Sequence, residues 1–169
     1  VSGADISQFA DMRAAREAVK KYEVMAEAAL QGIYEFSKPT VARIRGWCIG
    51  GGTDMVLCAD LIVAAESAVF GYPPSRVWGT PTTAMWVYRM GLEQAKRYML
   101  TGDEISARKA VEIGLILEAV PDAELADHAL APELDRPTKR FIPAVRPVVV
   151  ERRRIHDADP SEQAETFAR

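Results

Sequence analysis

The chain has 169 residues, 49% of hydrophobic types and 27% charged, a composition that fits one soluble globular domain with a real core. A formal net charge of -3 supplies no basic surface for nucleic acid or anionic lipid, and the short run Arg152 to Arg154 reads as a solvated face rather than a binding arm. No apolar stretch approaches the roughly 18 residues that a membrane span needs. Cys48 and Cys58 sit inside apolar segments and read as buried thiols, and with no secretory signal the expected compartment is the cytoplasm.

Val1-Ser2-Gly3-Ala4-Asp5 lacks an initiator methionine and reads like the middle of a loop, so an upstream segment is expected. From Phe9 to Phe36, Met12, Ala15, Val19, Tyr22, Ala26, Ala29 and Ile33 recur at three- and four-residue steps, which predicts a long helix with one apolar face. Pro39 closes it. Thr40 to Arg45 alternates with β-branched residues and predicts a strand. A glycine loop follows, then a short helix over Thr53 to Cys58, and Asp60 to Ala65 is apolar enough for a strand covered on both faces. Ser67 to Phe70 adds a short strand, and Gly71 to Pro81 reads as a loop. Helical spacing resumes over Thr82 to Met90 and Leu92 to Leu100. A further helix is expected over Ile105 to Ile113, capped at Ser106 or just before it and stopped by Gly114, and Leu117 to Val120 is extended.

Strands alternating with helices imply parallel β-α-β units and an α/β fold. The expected core covers residues 1–131. Beyond Ala131, Pro132, Pro137, Pro143 and Pro147 punctuate the chain, and 132–169 has no fold assignment beyond a helix that could restart over Pro160 to Arg169. His128 and His156 are expected on a solvated surface.

Chemistry concentrates in Trp47-Cys48-Ile49-Gly50-Gly51-Gly52-Thr53-Asp54. A glycine loop leading from strand into helix presents backbone N–H groups at the positive end of the helix dipole, where they can hold an anion or a developing oxyanion. A P-loop would need Gly-Lys-Ser or Gly-Lys-Thr, yet Gly52 is followed by Thr53-Asp54, whose acid would repel phosphate. A dinucleotide turn is favoured by Glu66 but fails on G-x-G-x-x-G spacing. An oxyanion hole for acyl chemistry remains, beside the plain alternative that the glycines let strand and helix pack closely.

Taken together, several segments resemble the crotonase superfamily, also called the enoyl-CoA hydratase/isomerase family. Ser2-Gly3-Ala4-Asp5-Ile6 resembles that family's A-G-A-D-I loop, Lys38-Pro39-Thr40-Val41-Ala42 its strand entry, and Gly46 to Asp54 its triple-glycine segment ending in an acid. Cys58 to Ala64, Phe70-Gly71, Leu100-Thr101-Gly102, Ile105-Ser106-Ala107, Gly114-Leu115 and Val120-Pro121 follow in the family's order, so the resemblance covers roughly Ser2 to Leu130. It implies a crotonase-like β-α-β spiral, homotrimers often paired into hexamers, and an acyl-CoA substrate of the kind handled in fatty acid metabolism, with coenzyme A part of the substrate and no separate cofactor. It also implies that the backbone N–H groups of Ala4 and Gly51 polarise the thioester carbonyl and stabilise an enolate, with Asp54 as the catalytic carboxylate. Ser2, Asp5, Ile6, Gly50, Tyr72 and Pro74 fall at substrate-binding positions, Asp5 and Ile6 near the CoA adenine.

The pattern departs from the family's hydratases in two places. Those enzymes use two glutamates; the first position is Asp54 here and the second is Pro74, which carries no proton. The further aspartate of dienoyl-CoA isomerases corresponds to Thr82. Water addition by the two-acid route is therefore disfavoured. Tyr72, Ser75 and Arg76 are the nearby polar groups, each expected to pack or face solvent, and Trp47, Trp78 and Trp86 are candidates for an acyl-pocket wall or for the core.

Overall fold

The structure, a computed structural model, describes residues 3, 16–77, 79, 81, 83–126, 128 and 146–149. Helix α1 spans Arg16–Tyr34, and none of its residues is buried. Val19, Tyr22, Ala26 and Ile33 of the expected apolar face are half-covered and Ala29 is exposed, while Met12 and Ala15 lie outside the described residues. The main contact of α1 is with the seven-residue helix α2 (Gly51–Leu57), and so short a partner covers less of a stripe than a sheet would.

Strand β1 (Thr40–Ile44) follows Pro39 as its alternation predicts. It pairs in parallel with β3 (Leu61–Ala65), from Val41 opposite Leu61 to Ile44 opposite Ala64. β6 (Glu118–Val120) adds outside β3, and β7 (Arg146–Val149) outside β1, giving a four-stranded parallel sheet in the order β6-β3-β1-β7. β7 lies in the span left unassigned from sequence. Pro147 stands in it opposite Val41, a residue without an N–H tolerated because this is an edge strand. A smaller sheet holds β2 (Trp47–Ile49), β4 (Val69–Gly71) and β5 (Ile105–Ser106), with β2 and β4 parallel but β4 and β5 antiparallel.

Two of these strands correct the sequence reading. Trp47–Ile49 was expected as loop, and three residues are too few to show alternation. Ile105 was expected to open a helix; instead it pairs with Phe70, and Ser106 caps α5 (Ala107–Glu112) by accepting a hydrogen bond from the Lys109 N–H at 3.3 Å.

Side chains of β3 enter both faces of the large sheet. Ile62 and Ala64 join the main core with Ile44, Leu57, Phe70, Trp86, Ile105 and Leu115, while Val63 and Ala65 pack with Val120 and Leu125. A continuous apolar run is what a strand buried on both faces requires, and burying each large aliphatic side chain stabilises the fold by about 1.5–3 kcal/mol. At the start of the sheet the Thr40 N–H and hydroxyl both donate to Asp60 Oδ2, at 2.6 and 2.9 Å, and the Asp60 N–H donates back to Thr40 Oγ1 at 3.0 Å. This exchange fixes where β1 begins and hence where its continuation through β2 delivers the glycines.

Helices α3 (Met85–Met90) and α4 (Leu92–Thr101) meet at Gly91, whose φ of 78° the missing Cβ permits. His128 departs from its expected solvated position: it is half-buried, with Nε2 2.7 Å from Glu118 Oε1, because the turn after β6 folds it back onto that strand. His156, Arg152 to Arg154 and the expected helix over Pro160 to Arg169 lie outside the described residues.

Candidate active site

Helix α2 begins inside the glycine run, at Gly51, two residues earlier than the spacing predicts. Gly50 makes the turn with φ 60° and ψ -139°, a conformation open to a residue without Cβ. The turn is fastened from several sides. The Gly50 N–H donates to the Gly71 carbonyl at 3.0 Å, and the buried Thr53 hydroxyl lies 2.6 Å from the Cys48 carbonyl and 3.0 Å from that of Gly71, tying the helix start to β2 and β4. Thr53 and Asp54 send their N–H groups to the Gly50 carbonyl. Gly51 and Gly52, at the first two helical positions, therefore have no acceptor within the helix.

Gly3 comes to this point from far away in sequence. Its φ is 82°, and a Cβ built on it would stand 2.9 Å from the Gly51 nitrogen, 3.1 Å from that of Gly52 and 3.2 Å from the Gly51 Cα. Only a glycine can sit so close to both amides. Gly3 thus meets the glycine run across α1, β1 and β2, while Ser2, Ala4, Asp5 and Ile6 lie outside the described residues.

Asp54 follows in the first turn of α2 and is 8% exposed. Burial pushes its carboxyl up to about 6, against a hydrogen bond from Trp86 that pulls the other way. In that bond the Trp86 indole Nε1–H donates to Asp54 Oδ1 at 2.7 Å. The result is a carboxylate kept largely from water, poised to gain or lose a proton near neutral pH. Cys58 Sγ lies 3.3 Å from the Asp54 carbonyl oxygen, and burial raises both thiols, Cys48 to about 11, so neither is a thiolate nucleophile at neutral pH.

The loop after β4 contributes less chemistry. Pro73–Arg76 form one 3-10 turn, in which Pro74 is half-buried. Tyr72 packs edge-on against Trp86, ring centroids 6.4 Å apart and planes at 84°. Arg76 is spent on structure: its Nε–H donates to the Thr101 carbonyl at 2.9 Å and it pairs with Asp103 at 3.3 Å. Trp47 is 42% exposed, Trp86 is a core residue, and Trp78 and Thr82 lie outside the described residues. The partnership of Trp86 with Asp54 joins residues 32 apart in sequence, with no local pattern to announce it. Among the described residues there is no cluster of three His, Cys, Asp or Glu able to hold a metal ion, and no helix long and apolar enough to cross a membrane.

Comparison with known proteins gives a consistent picture. Residues 1–138 match the family model described as enoyl-CoA hydratase/isomerase. A hydroxycinnamoyl-CoA hydratase-lyase of Pseudomonas fluorescens is 35% identical over 96 residues, covering 54% of this chain and 34% of that protein. A crotonyl-CoA hydratase of Syntrophomonas wolfei is 33% identical over 128 residues, covering 74% of this chain and 48% of that protein. The crystal structure of an enoyl-CoA hydratase from Bacillus anthracis superposes with a TM-score of 0.71 at 32% identity, over 76% of this chain and 50% of that one. The chain thus spans about half or less of the length of these relatives.

Proposed function

The chain belongs to the enoyl-CoA hydratase/isomerase family and has its crotonase fold, and from that premise we propose that it binds an acyl-CoA thioester and interconverts it with its enolate. The observation that carries this reading is the contact of Gly3 with the Gly51 and Gly52 amides, one turn from the buried carboxyl of Asp54. In the proposed reaction the N–H groups of Ala4 and Gly51 hold the thioester oxygen. Asp54 takes the proton from the α-carbon, the C–H electron pair becomes the enolate C=C bond, and the carbonyl pair moves to the oxygen between the two donors. Each such donor is worth roughly 3 kcal/mol to the transition state in acyl-transfer enzymes.

One carboxyl suffices to return the proton to another carbon of the acyl chain, which shifts a double bond with no net gain of water. Hydration needs a second group to handle the water, and Pro74 cannot. The inventory therefore favours isomerase-type over lyase-type chemistry, and Pro74→Glu is expected to raise hydration of a simple enoyl-CoA. Pro74 equally motivates a second reading, a catalytically impaired member that binds acyl-CoA or serves an oligomeric role.

Ser2, Asp5, Ile6, Gly50, Tyr72 and Pro74 complete the proposed substrate site. Titration calorimetry with a CoA ester should give a dissociation constant in the micromolar range, by analogy with ordinary substrate constants; absence of heat and of competition by CoA would remove the enzymatic reading and any acyl-CoA-binding one. Assembly as a trimer or a pair of trimers is proposed from the family and from the exposed Tyr88, Leu92 and Leu100 on α3 and α4. Light scattering from a stable monomer would contradict it.

A further inference from the structure

Helix α3 grips α2 at two points. Trp86, in its first turn, donates to Asp54 Oδ1 at 2.7 Å; Arg89, three residues on and so on the same face, donates through Nε to the Leu57 carbonyl at 2.9 Å and through Nη2 to the Ala59 carbonyl. Arg89 thus satisfies carbonyls that the end of α2 leaves open, while Trp86 reaches the side chain at its start. Trp86 is 1% exposed, so its ring is locked by packing, and the Tyr72 ring stands nearly perpendicular to it. A buried indole has one donor and no acceptor, so it satisfies its own N–H only through that carboxyl oxygen.

From this geometry we infer that Trp86 is a positioning residue for the reaction: its indole N–H fixes the rotamer of the Asp54 carboxylate and stabilises its ionised form, leaving the second oxygen for the substrate proton. The inference rests on the proposed role of Asp54 as base. It adds a dependence on α3, which reaches the carboxylate from outside the glycine run. Among the described residues the titratable neighbours of Asp54 are the thiols of Cys48 and Cys58, both pushed toward the neutral form by burial, and the Arg89 guanidinium lies at the far end of α2. Donation from the indole opposes the burial that raises the carboxyl. Losing it moves the Asp54 titration to higher pH.

Two measurements test this. In the unsubstituted protein, with the indole resonances assigned through Trp47→Phe and Trp78→Phe, the Trp86 Nε1–H signal should shift with pH along the Asp54 titration and stop doing so in Asp54→Asn. Replacing Trp86 alone by its benzothienyl analogue, which keeps the shape and deletes the donor, should raise the Asp54 titration by about one pH unit and move the acid limb of the pH-rate profile with it. Turnover at neutral pH should fall about tenfold with KM within a factor of two, and in Asp54→Asn the analogue should change turnover no further. An indole signal indifferent to pH, or an analogue that leaves the carboxyl titration unmoved, overturns the inference. Because both readouts follow the carboxyl itself, they stand if Asp54→Asn proves active, an outcome that would sink the catalytic reading instead.

Discussion

Asp54→Asn is expected to lower turnover on an acyl-CoA substrate at least ~100-fold while making the protein more stable at neutral pH. The loss follows from deleting the proton carrier, a contribution that general bases commonly supply at 10² to 10⁴. The gain follows from linkage. Burial raises the folded-state pKa of Asp54 from 3.8 to about 6, so between those values the folded protein holds a proton that the unfolded chain has released. Stability therefore falls as pH rises from about 4 to 6, and above that range the cost is fully present, of order 3 kcal/mol. Asparagine keeps an acceptor for Trp86 and removes the charge. Denaturant titrations of the two proteins should diverge in favour of Asp54→Asn above pH 6 and converge near pH 4; a variant less stable than the parent at pH 7.5 would show the carboxylate to be a structural anchor.

Gly3→Ala is the second large effect, expected to lower kcat/KM by 10² to 10³, the range seen when an oxyanion donor is removed. The added Cβ would be driven to 2.9 Å from the Gly51 nitrogen, on a backbone with φ of 82°, where L side chains are rarely found. Either the loop retreats from the glycine run or the methyl group covers the amides. The first separates the two donors and the second blocks them, yet the core is untouched, so thermal stability should change little. Amide signals of Gly51 and Gly52 should move in the variant, and a Gly3→Ala protein with parental kcat/KM would detach this loop from the chemistry.

Much of the fold was legible where local physics decides. Pro39 with alternating β-branched residues gave β1, the apolar run of β3 implied cover on both faces, and Gly114, at φ 75°, closes α5. What escaped was set by partners distant in sequence. β2 and β5 are too short to carry a period and exist because β4 pairs with each. β7 holds a proline that reads as a breaker and is admitted by an edge position. For the site, the glycine run and Asp54 stood out in the sequence through their resemblance to a family. Their environment did not: the burial that raises Asp54 comes from tertiary packing around α2, the indole that holds it comes from α3, and His128 lost its expected solvent to Glu118 in the same way.

The claim that joins these features is that the glycine run and Asp54 together make and unmake an enolate. Exchange of the α-hydrogens of a saturated acyl-CoA with deuterium oxide reads that step alone, whichever reaction the native substrate undergoes afterwards. The unsubstituted protein, saturated with the ester at pH 7.5, should incorporate deuterium at the α-carbon, and Asp54→Asn should bind the ester yet exchange at least ~100-fold more slowly. Equal exchange by the two proteins, or bound ester that the unsubstituted protein leaves unexchanged, would contradict the account.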